Sequence, residues 1–266
     1  DLMIFVHTDD GKIAGRTQEI NDEFMKALKK KFNVGTHKKG IDRIFNVKVQ
    51  KTDDGNIKLS MEKYISYLMN QFDVKANGTT DCPMSPSYKM EVSTEPTDTD
   101  AMRDKPFLSL LSSLFWISRC CRYDIAVALT ILSRASANAE PKHWTALLRV
   151  LQYLANTPTR GVVIRPSKDP YNATLLTYTD ASYASDPSTG RSISGQIVTV
   201  DNTVLDWTSK HQPYVTLSSG DSETVAAASA ATRRPIFPRT RAVPLSARSN
   251  APSAPPAPMR STNAAR

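Results

Sequence analysis

The chain has 266 residues, which is enough for one large domain or two ordinary ones. With 40% hydrophobic and 23% charged residues it has the composition of a globular protein, which excludes a wholly disordered chain. No apolar run approaches the roughly 18–20 residues of a membrane span, and no secretory signal is visible at the start. The three cysteines are too few for a disulfide framework. We therefore expect an intracellular protein that is not secreted and has no membrane partner.

The positive charge of the chain is concentrated at its C-terminal end. The chain holds 34 Lys and Arg against 26 Asp and Glu, and residues 233–266 hold seven arginines with no acidic side chain. Residues 1–232 are therefore nearly neutral. Because residues 233–266 also hold seven of the 17 prolines and no apolar periodicity, they are predicted to be a disordered Arg/Pro/Ala-rich tail. Such a tail would attract nucleic acid weakly and in a salt-dependent way, or it is a non-native terminus without a selected function.

The first segment, residues 1–75, is predicted to hold two hairpins, each followed by a helix. Asp9-Asp10-Gly11 lies between the apolar strand Leu2–Thr8 and a returning strand at Lys12–Gly15, and Asp-Gly between apolar segments favours a hairpin turn. A second hairpin is predicted across Asp53-Asp54-Gly55. Apolar side chains at helical spacing predict the two helices, and these are Ile20, Phe24, Leu28 and Phe32 in the first and Tyr64, Ile65, Leu68, Met69 and Phe72 in the second.

The middle of the chain changes from a linker to a helical block. Residues 76–106 are rich in Thr, Ser, Pro and Asp and lack periodicity, so a surface linker is predicted there. Residues 107–160 are predicted to be a helical connection, with helices at 107–119, 124–136 and 142–155.

The last folded unit, from about residue 170 to 232, changes to short strands. Leu175–Thr179, Ile193–Val200 and Val204–Thr208 read as strands, with a tight turn at Asp201-Asn202. An Ala-rich helix at Gly220–Thr232 follows, capped by Ser218 or Ser219. Three strands followed by a helix predict a small α+β domain.

Asp9-Asp10 is the first candidate for a metal site. Adjacent carboxylates at a turn can hold divalent cations, as two-metal phosphoryl transfer requires. Asp-Asp-Gly is also an ordinary hairpin turn, and it recurs at Asp53-Asp54-Gly55 without another functional sign. The residues alone leave both interpretations open.

Asp180 and Glu223 are the second candidate. A carboxylate on a central strand that faces a carboxylate on a packed helix can form a magnesium site. Asp221 and Glu223 are two residues apart and so point about 200° apart around a helix, which prevents both from facing the strand. Glu223 aligns with Ala227 and Ala230, whereas Asp221 suits the capped first turn, so Glu223 is the predicted partner. The alternative is that Asp180 starts a turn and Glu223 is solvated.

Taken in order, these segments resemble the C-terminal part of a copia-type retrotransposon Pol polyprotein, namely the end of its reverse transcriptase followed by its ribonuclease H. The polymerase hairpin of that family, aromatic-Val-Asp-Asp, is similar to His7-Thr8-Asp9-Asp10. The ribonuclease H motif of the family, Ser-Asp-Ala-Asp-Trp-Ala-Gly-Asp, is similar to residues 179–186, Thr-Asp-Ala-Ser-Tyr-Ala-Ser-Asp. Further similar blocks are Leu59–Ile65, Cys121–Ala126, His143-Trp144, Arg191–Gly195, Trp207–Gln212 and Leu217–Glu223.

The resemblance implies a remnant of the polymerase palm hairpin with a helical thumb or connection, followed by a truncated ribonuclease H-like α/β domain. It implies RNA-directed DNA polymerase (nucleotidyltransferase) and ribonuclease H activities with Mg²⁺ or Mn²⁺ as cofactor. Asp9 and Asp10 would be the polymerase ligands, and Asp180 and Glu223 the nuclease ligands. RNA, DNA, RNA–DNA hybrid and the rest of the Pol polyprotein are the implied partners.

Departures from the family pattern argue against activity of this chain alone. A polymerase palm needs a third aspartate, which would precede residue 1. The third nuclease carboxylate of the family follows the Glu223 helix, where this chain has Pro235 and Pro238 instead. The predicted function is therefore an inactive fragment of the reverse transcriptase and ribonuclease H region. The alternatives are a nonenzymatic remnant that binds RNA or hybrid, and a decaying reading frame.

Overall fold

The chain forms two compact units in its computed structural model, Asp1–Ile41 and Asp42–Arg266. The structure describes residues 2–7, 10–35, 40, 42–91, 99–167, 173–232 and 240–244. Small sheets and helices alternate along these residues, so the predicted α+β class is confirmed. The second hairpin and the helix after it pack with the rest of the larger unit.

The smaller unit consists of β1 (Leu2–His7), β2 (Asp10–Gly15) and α1 (Gln18–Lys31). The predicted hairpin and helix are confirmed, but the predicted turn is wrong in register. Asp10 pairs with His7 and Gly11 with Val6, so Asp10 and Gly11 belong to the returning strand. Only residues 8 and 9, which lie outside the described residues, separate the strands, and a two-residue connection is the commonest in hairpins.

The first sheet of the larger unit is antiparallel, in the order β3-β4-β5-β6. The predicted second hairpin is confirmed, since Lys51 pairs with Ile57 and Gly55 takes a φ of 80° in the turn between them. Its first strand is split by a tight turn at Phe45 and Asn46, which both have positive φ. The last strand lies about a hundred residues further along the chain and pairs with the strand at Ile57–Ser60. The strands are β3 (Arg43–Ile44), β4 (Val47–Lys51), β5 (Ile57–Ser60) and β6 (Val162–Ile164).

In the described part of the chain, five α-helices lie between β5 and β6 and within the same unit: α2 (Glu62–Gln71), α3 (Thr99–Met102), α4 (Phe107–Cys120), α5 (Ala126–Leu132) and α6 (Pro141–Asn156). The three helices predicted for the helical block are confirmed as α4, α5 and α6. The apolar faces of α2, α4, α5 and α6 form one buried core, which includes Leu68, Leu110, Leu114, Leu129, Leu147 and Leu151. The described part of the predicted linker lies along α6, where the Asn156 amide bonds Asn77 and the carbonyl of Thr80.

The second sheet has the order β10-β7-β8-β9. The three strands that come first along the chain are antiparallel neighbours and agree with the predicted ones. The turn at Asp201-Asn202 is confirmed by the positive φ of both residues. A helix follows the third strand, as predicted. The elements are β7 (Leu175–Ser182), β8 (Ile193–Val200), β9 (Thr203–His211), α7 (Ser219–Thr232) and β10 (Thr240–Pro244).

The fourth strand of this sheet differs from the prediction of a disordered tail. Thr240–Pro244 pairs in parallel with β7, with Thr240 opposite Leu175. Without it β7 would be an edge strand with one row of unpaired backbone groups, which a parallel strand after α7 satisfies. The other residues of 233–266 lie outside the described residues, so their predicted disorder stays a prediction.

Contacts of β9 join the second sheet to the helical core. The indole Nε1–H of the buried Trp207 donates to the carbonyl of Ser118 in α4 at 2.9 Å. The Thr130 hydroxyl of α5 donates to the carbonyl of Ser209 at 2.9 Å. The sheet is therefore anchored on α4 and α5 along the strand farthest from β10.

Deleting residues 233–266 is expected to lower the free energy of unfolding by roughly 2 kcal/mol, because β7 loses a few backbone hydrogen bonds worth about 1 kcal/mol each. Deleting only residues 245–266 keeps β10 and is expected to leave stability nearly unchanged. Urea unfolding of both truncated chains measures the difference. Equal stability of the two would show that β10 adds nothing to the sheet.

Candidate functional site

The first predicted pair, Asp9-Asp10, is described only in part. Asp10 starts β2 opposite His7, whereas Asp9 lies outside the described residues and the Asp10 side chain is likewise not described. The structure therefore leaves the proposed metal-binding role of this pair as a prediction.

Asp180 lies within β7, two residues before the end of the strand. Leu175, Thr177 and Thr179 alternate as buried side chains along this strand, and Asp180 follows them as an exposed side chain. Its backbone pairs with Gly195 on β8. Since β7 has β10 on one side and β8 on the other, the Asp180 carboxyl is carried by an interior strand of the sheet.

The first turn of α7 is tied down by hydrogen bonds. The Ser218 hydroxyl accepts the Asp221 N–H at 3.1 Å, which confirms Ser218 as the cap. The side-chain amide of Gln212, which is buried, donates to the carbonyl of Ser222 at 2.8 Å and to the Ser194 hydroxyl at 2.9 Å. The start of α7 is thereby fixed against β8 and the end of β9.

The structure brings Glu223 to Asp180. The Glu223 carboxyl lies close enough to Asp180 and to the Ala181 N–H for both groups to act on its protonation. Partial burial, followed by the charge of Asp180 and a hydrogen bond with Asp180, raises the pKa of Glu223 above its usual value. The two carboxyls therefore form an acidic pair in which Glu223 takes up a proton at a higher pH than an isolated glutamate does.

Asp221 behaves as the capping analysis predicts, because it is exposed and lies in the capped first turn. The predicted small-residue face is shifted by one position. Ser222, Ala226 and Ala230 are the buried residues of α7, whereas Glu223 and Ala227 are half-buried at the edge of that face. Because of this edge position, the Glu223 carboxyl reaches Asp180 on β7 while the buried face of α7 packs on the sheet.

A buried ion pair, which the sequence analysis missed, holds the loop after β7. Asp186, 3% exposed, accepts hydrogen bonds from Ser188 and Thr189 and forms an ion pair with Arg134 at 2.6 Å. Burial favours the neutral acid, but the hydrogen bonds from Thr189 and Ser188 outweigh it and hold the pKa of Asp186 below its usual value. Asp followed by Ser and Thr is typical of a side-chain-capped turn, a signal that was available in the sequence.

Among the residues that the structure describes, no group of three or more His, Cys, Asp or Glu side chains is placed to hold a metal ion. The carboxylate pair is the described arrangement that comes nearest to the predicted nuclease site. No helix in the described part of the chain is long and apolar enough to cross a membrane.

The chain is similar to transposon proteins over most of its length. It is 29% identical over 230 residues to a retrovirus-related Pol polyprotein from transposon TNT 1-94 of Nicotiana tabacum, an alignment that covers 85% of this chain and 17% of that protein. It is 35% identical over 125 residues to the secreted RxLR effector protein 161 of Plasmopara viticola, covering 47% of this chain and 86% of that protein. It is 24% identical over 209 residues to a putative transposon Ty5-1 protein of Saccharomyces cerevisiae, covering 79% and 66%.

These similarities confirm a distant relation to copia-type retrotransposon Pol polyproteins along most of the chain. The chain spans less than a fifth of the length of the Pol polyprotein from tobacco. No family model matches the chain, and no solved structure is significantly similar to it.

Proposed function

We propose a function from two premises: the chain belongs to the same sequence family as the Plasmopara viticola protein, and it is distantly similar to retrotransposon Pol polyproteins. The chain is a remnant of the reverse transcriptase and ribonuclease H region. Residues 173–244 are its ribonuclease H-like part, in which Asp180 and Glu223 form the residual nuclease pair. Asp9 and Asp10 are the residual ligands of the polymerase hairpin.

The arrangement of the second sheet supports this assignment. Three antiparallel strands are followed by a helix, and a fourth strand returns in parallel beside the first. A carboxylate on the first strand touches a carboxylate on the helix. This contact is the observation that carries the proposal, because the chain brings together two acids that are 43 positions apart in sequence.

The donor set fits Mg²⁺ or Mn²⁺, since both ions take carboxylate oxygens as ligands. Asp180 and Glu223 would hold the ion, and the Ala181 N–H keeps the Glu223 carboxyl in place. The bound ion supplies the charge that stabilises the phosphoryl oxygens during hydrolysis. Both carboxyls must be ionised to hold it, so the raised pKa of Glu223 makes metal binding weaker as the pH falls.

The sequence after α7 lacks the next acid that the family resemblance implies. Residues 233–266 contain no Asp or Glu, so β10 and its flanks add no carboxylate to the pair. Two carboxylates hold divalent ions less firmly than three or four do. We therefore propose weak metal binding and very little turnover.

The expected result of a ribonuclease H assay with Mg²⁺ is very weak or absent cleavage of an RNA–DNA hybrid. Wherever cleavage is measurable, Asp180→Asn and Glu223→Gln are each expected to abolish it, because each removes one metal ligand. Asp221→Asn is the matched control, since it removes a neighbouring charge that the pair does not use. Equal loss in Asp221→Asn would contradict the assignment of Glu223, and efficient cleavage that survives Asp180→Asn would contradict the site.

Binding of RNA or hybrid without cleavage is the second candidate function. It is favoured by the seven arginines in residues 233–266, which no acidic side chain offsets. Phosphate contacts of this kind weaken steeply as the salt concentration rises. Hybrid binding that persists when Asp180→Asn has removed all metal binding would support this second function.

A further inference from the structure

A pocket of about 350 Å³ lies away from the carboxylate pair, at the seam between the first sheet and the helical core. Its floor is the fully buried Arg122, which is 1% exposed, together with the Tyr153 side chain. Lys58 from β5 and Arg160 from the segment before β6 line it as well. The pocket is thus built where β5, β6 and the end of α6 meet.

The pocket carries an uncompensated positive charge. Its lining holds three cations, Lys58, Arg122 and Arg160, and one carboxylate, Asp124. The Asp124 carboxylate already accepts three hydrogen bonds, from Arg122 Nε at 2.9 Å, from Arg122 Nη2 at 2.8 Å and from the Tyr153 hydroxyl at 2.7 Å. Within the described part of the chain neither Lys58 nor Arg160 forms an ion pair. Two positive charges are therefore left for an anionic ligand.

Arg160 is held in position before any ligand arrives. Its Nη1 donates to the Tyr153 hydroxyl at 3.0 Å, and its guanidinium lies 5.9 Å from the centre of the Tyr153 ring. The Tyr153 hydroxyl is itself fixed, since it donates its proton to Asp124. The remaining N–H groups of Arg160 form a planar fork, the geometry that recognises phosphate in a bidentate way.

An exposed aromatic ring lies beside these cations. Tyr123 lines the pocket and is 40% exposed, and its other neighbour is the Trp207 ring at 5.6 Å between centroids. Cations that follow a phosphate backbone, next to a ring on which a base can stack, are the combination that binds single-stranded nucleic acid. A free phosphate ion has no base that could stack on the tyrosine ring.

We propose that the pocket lined by Lys58, Arg160 and Tyr123 binds a nucleic-acid strand, with a phosphate group against Lys58 and Arg160 and a base on Tyr123. The inference rests on the proposed function, because it assigns that function a nucleic-acid contact outside the carboxylate pair. It requires neither metal nor cleavage.

The test compares full-length chains by fluorescence anisotropy with a labelled single-stranded oligonucleotide at low salt, without divalent ions. The double variant Lys58→Gln, Arg160→Gln is expected to bind at least about tenfold more weakly, with a shallower salt dependence. The matched control Lys63→Gln, Lys89→Gln removes the same charge from exposed positions outside the pocket and is expected to change affinity much less. Circular dichroism shows that each chain is folded, and Arg160→Lys, which keeps the charge but lacks the planar fork, is expected to bind more weakly than the unmodified chain and more tightly than the double variant.

Two further arms separate the possible sources of the phosphate. Tyr123→Leu is expected to weaken oligonucleotide binding several-fold while leaving any binding of inorganic phosphate, measured by calorimetry, unchanged. Equal losses in the pocket variant and its control would overturn the proposal, since net charge alone would then explain binding. Phosphate binding that is lost in the pocket variant, with unchanged oligonucleotide affinity, would also overturn it in favour of a free-phosphate site. Because no arm uses metal or cleavage, failure of the carboxylate pair leaves this test intact.

Discussion

Replacing Arg122 by methionine is expected to lower the free energy of unfolding by roughly 3 kcal/mol, the lower end of the cost of removing one partner from a buried ion pair, because the Asp124 side chain keeps 28% of its surface exposed. Arg122 is 1% exposed. Its guanidinium holds Asp124 through Nε and Nη2 and also donates to the Thr157 carbonyl and hydroxyl, each at 2.8 Å. The variant leaves the Asp124 carboxylate and the Thr157 carbonyl at the end of α6 without these donors.

Urea unfolding measures this loss, and Arg103→Met is the matched control. Arg103 pairs with Asp100, but both side chains are more than 70% exposed. An exposed pair contributes less than about 1 kcal/mol, so the control is expected to unfold almost as the unmodified chain does. If Arg122→Met were as mild as Arg103→Met, the buried network would have no structural importance.

Replacing Gly161 by alanine is the second substitution with a large expected effect, a loss of about 3 kcal/mol. A Cβ at this position would clash with the carbonyl oxygen of Leu59 and lie 2.9 Å from the carbonyl carbon. Both groups are backbone, so relief requires β5 and β6 to move apart where Leu59 pairs with Val162. Overpacking of this kind typically costs 1–3 kcal/mol, and at a backbone contact we expect the upper end.

Gly35→Ala is the matched control for Gly161→Ala, because apart from its chain neighbours no atom of the described residues lies within 4 Å of the added methyl group at residue 35. Its stability is expected to stay within about 0.5 kcal/mol of the unmodified chain. Thermal unfolding of the two variants gives the comparison directly. A Gly161→Ala chain that unfolds with the same midpoint as Gly35→Ala would show that the two strands are not in close contact.

Local patterns predicted most of the elements, because their information lies within a few residues. The four-residue spacing in α1 and the turn at Asp201-Asn202 are of this kind, and both are confirmed. The pairing of β6 with β5 and of β10 with β7 was not predicted. Each joins segments that are far apart in sequence, and no local pattern specifies which strand edge a segment will occupy.

In the candidate site, too, some contacts follow from local sequence and others do not. Helical geometry was enough to prefer Glu223 over Asp221 as the neighbour of Asp180, and the structure shows the Glu223 contact. The ion pairs of the buried Asp186 with Arg134 and of the buried Arg122 with Asp124 could not be derived in that way. Arginine and aspartate are usually exposed, so their burial follows only from the packing of the finished fold.

Binding of Mn²⁺ followed by NMR shows whether Asp180 and Glu223 form a divalent-cation site, as we propose. Because Mn²⁺ broadens resonances near it, the backbone amides around Asp180, Ala181 and Glu223 are expected to broaden selectively. Asp180→Asn and Glu223→Gln are each expected to remove that broadening, whereas Asp221→Asn is expected to keep it. Broadening that is absent from these amides, or that persists unchanged in Asp180→Asn, would contradict the claim.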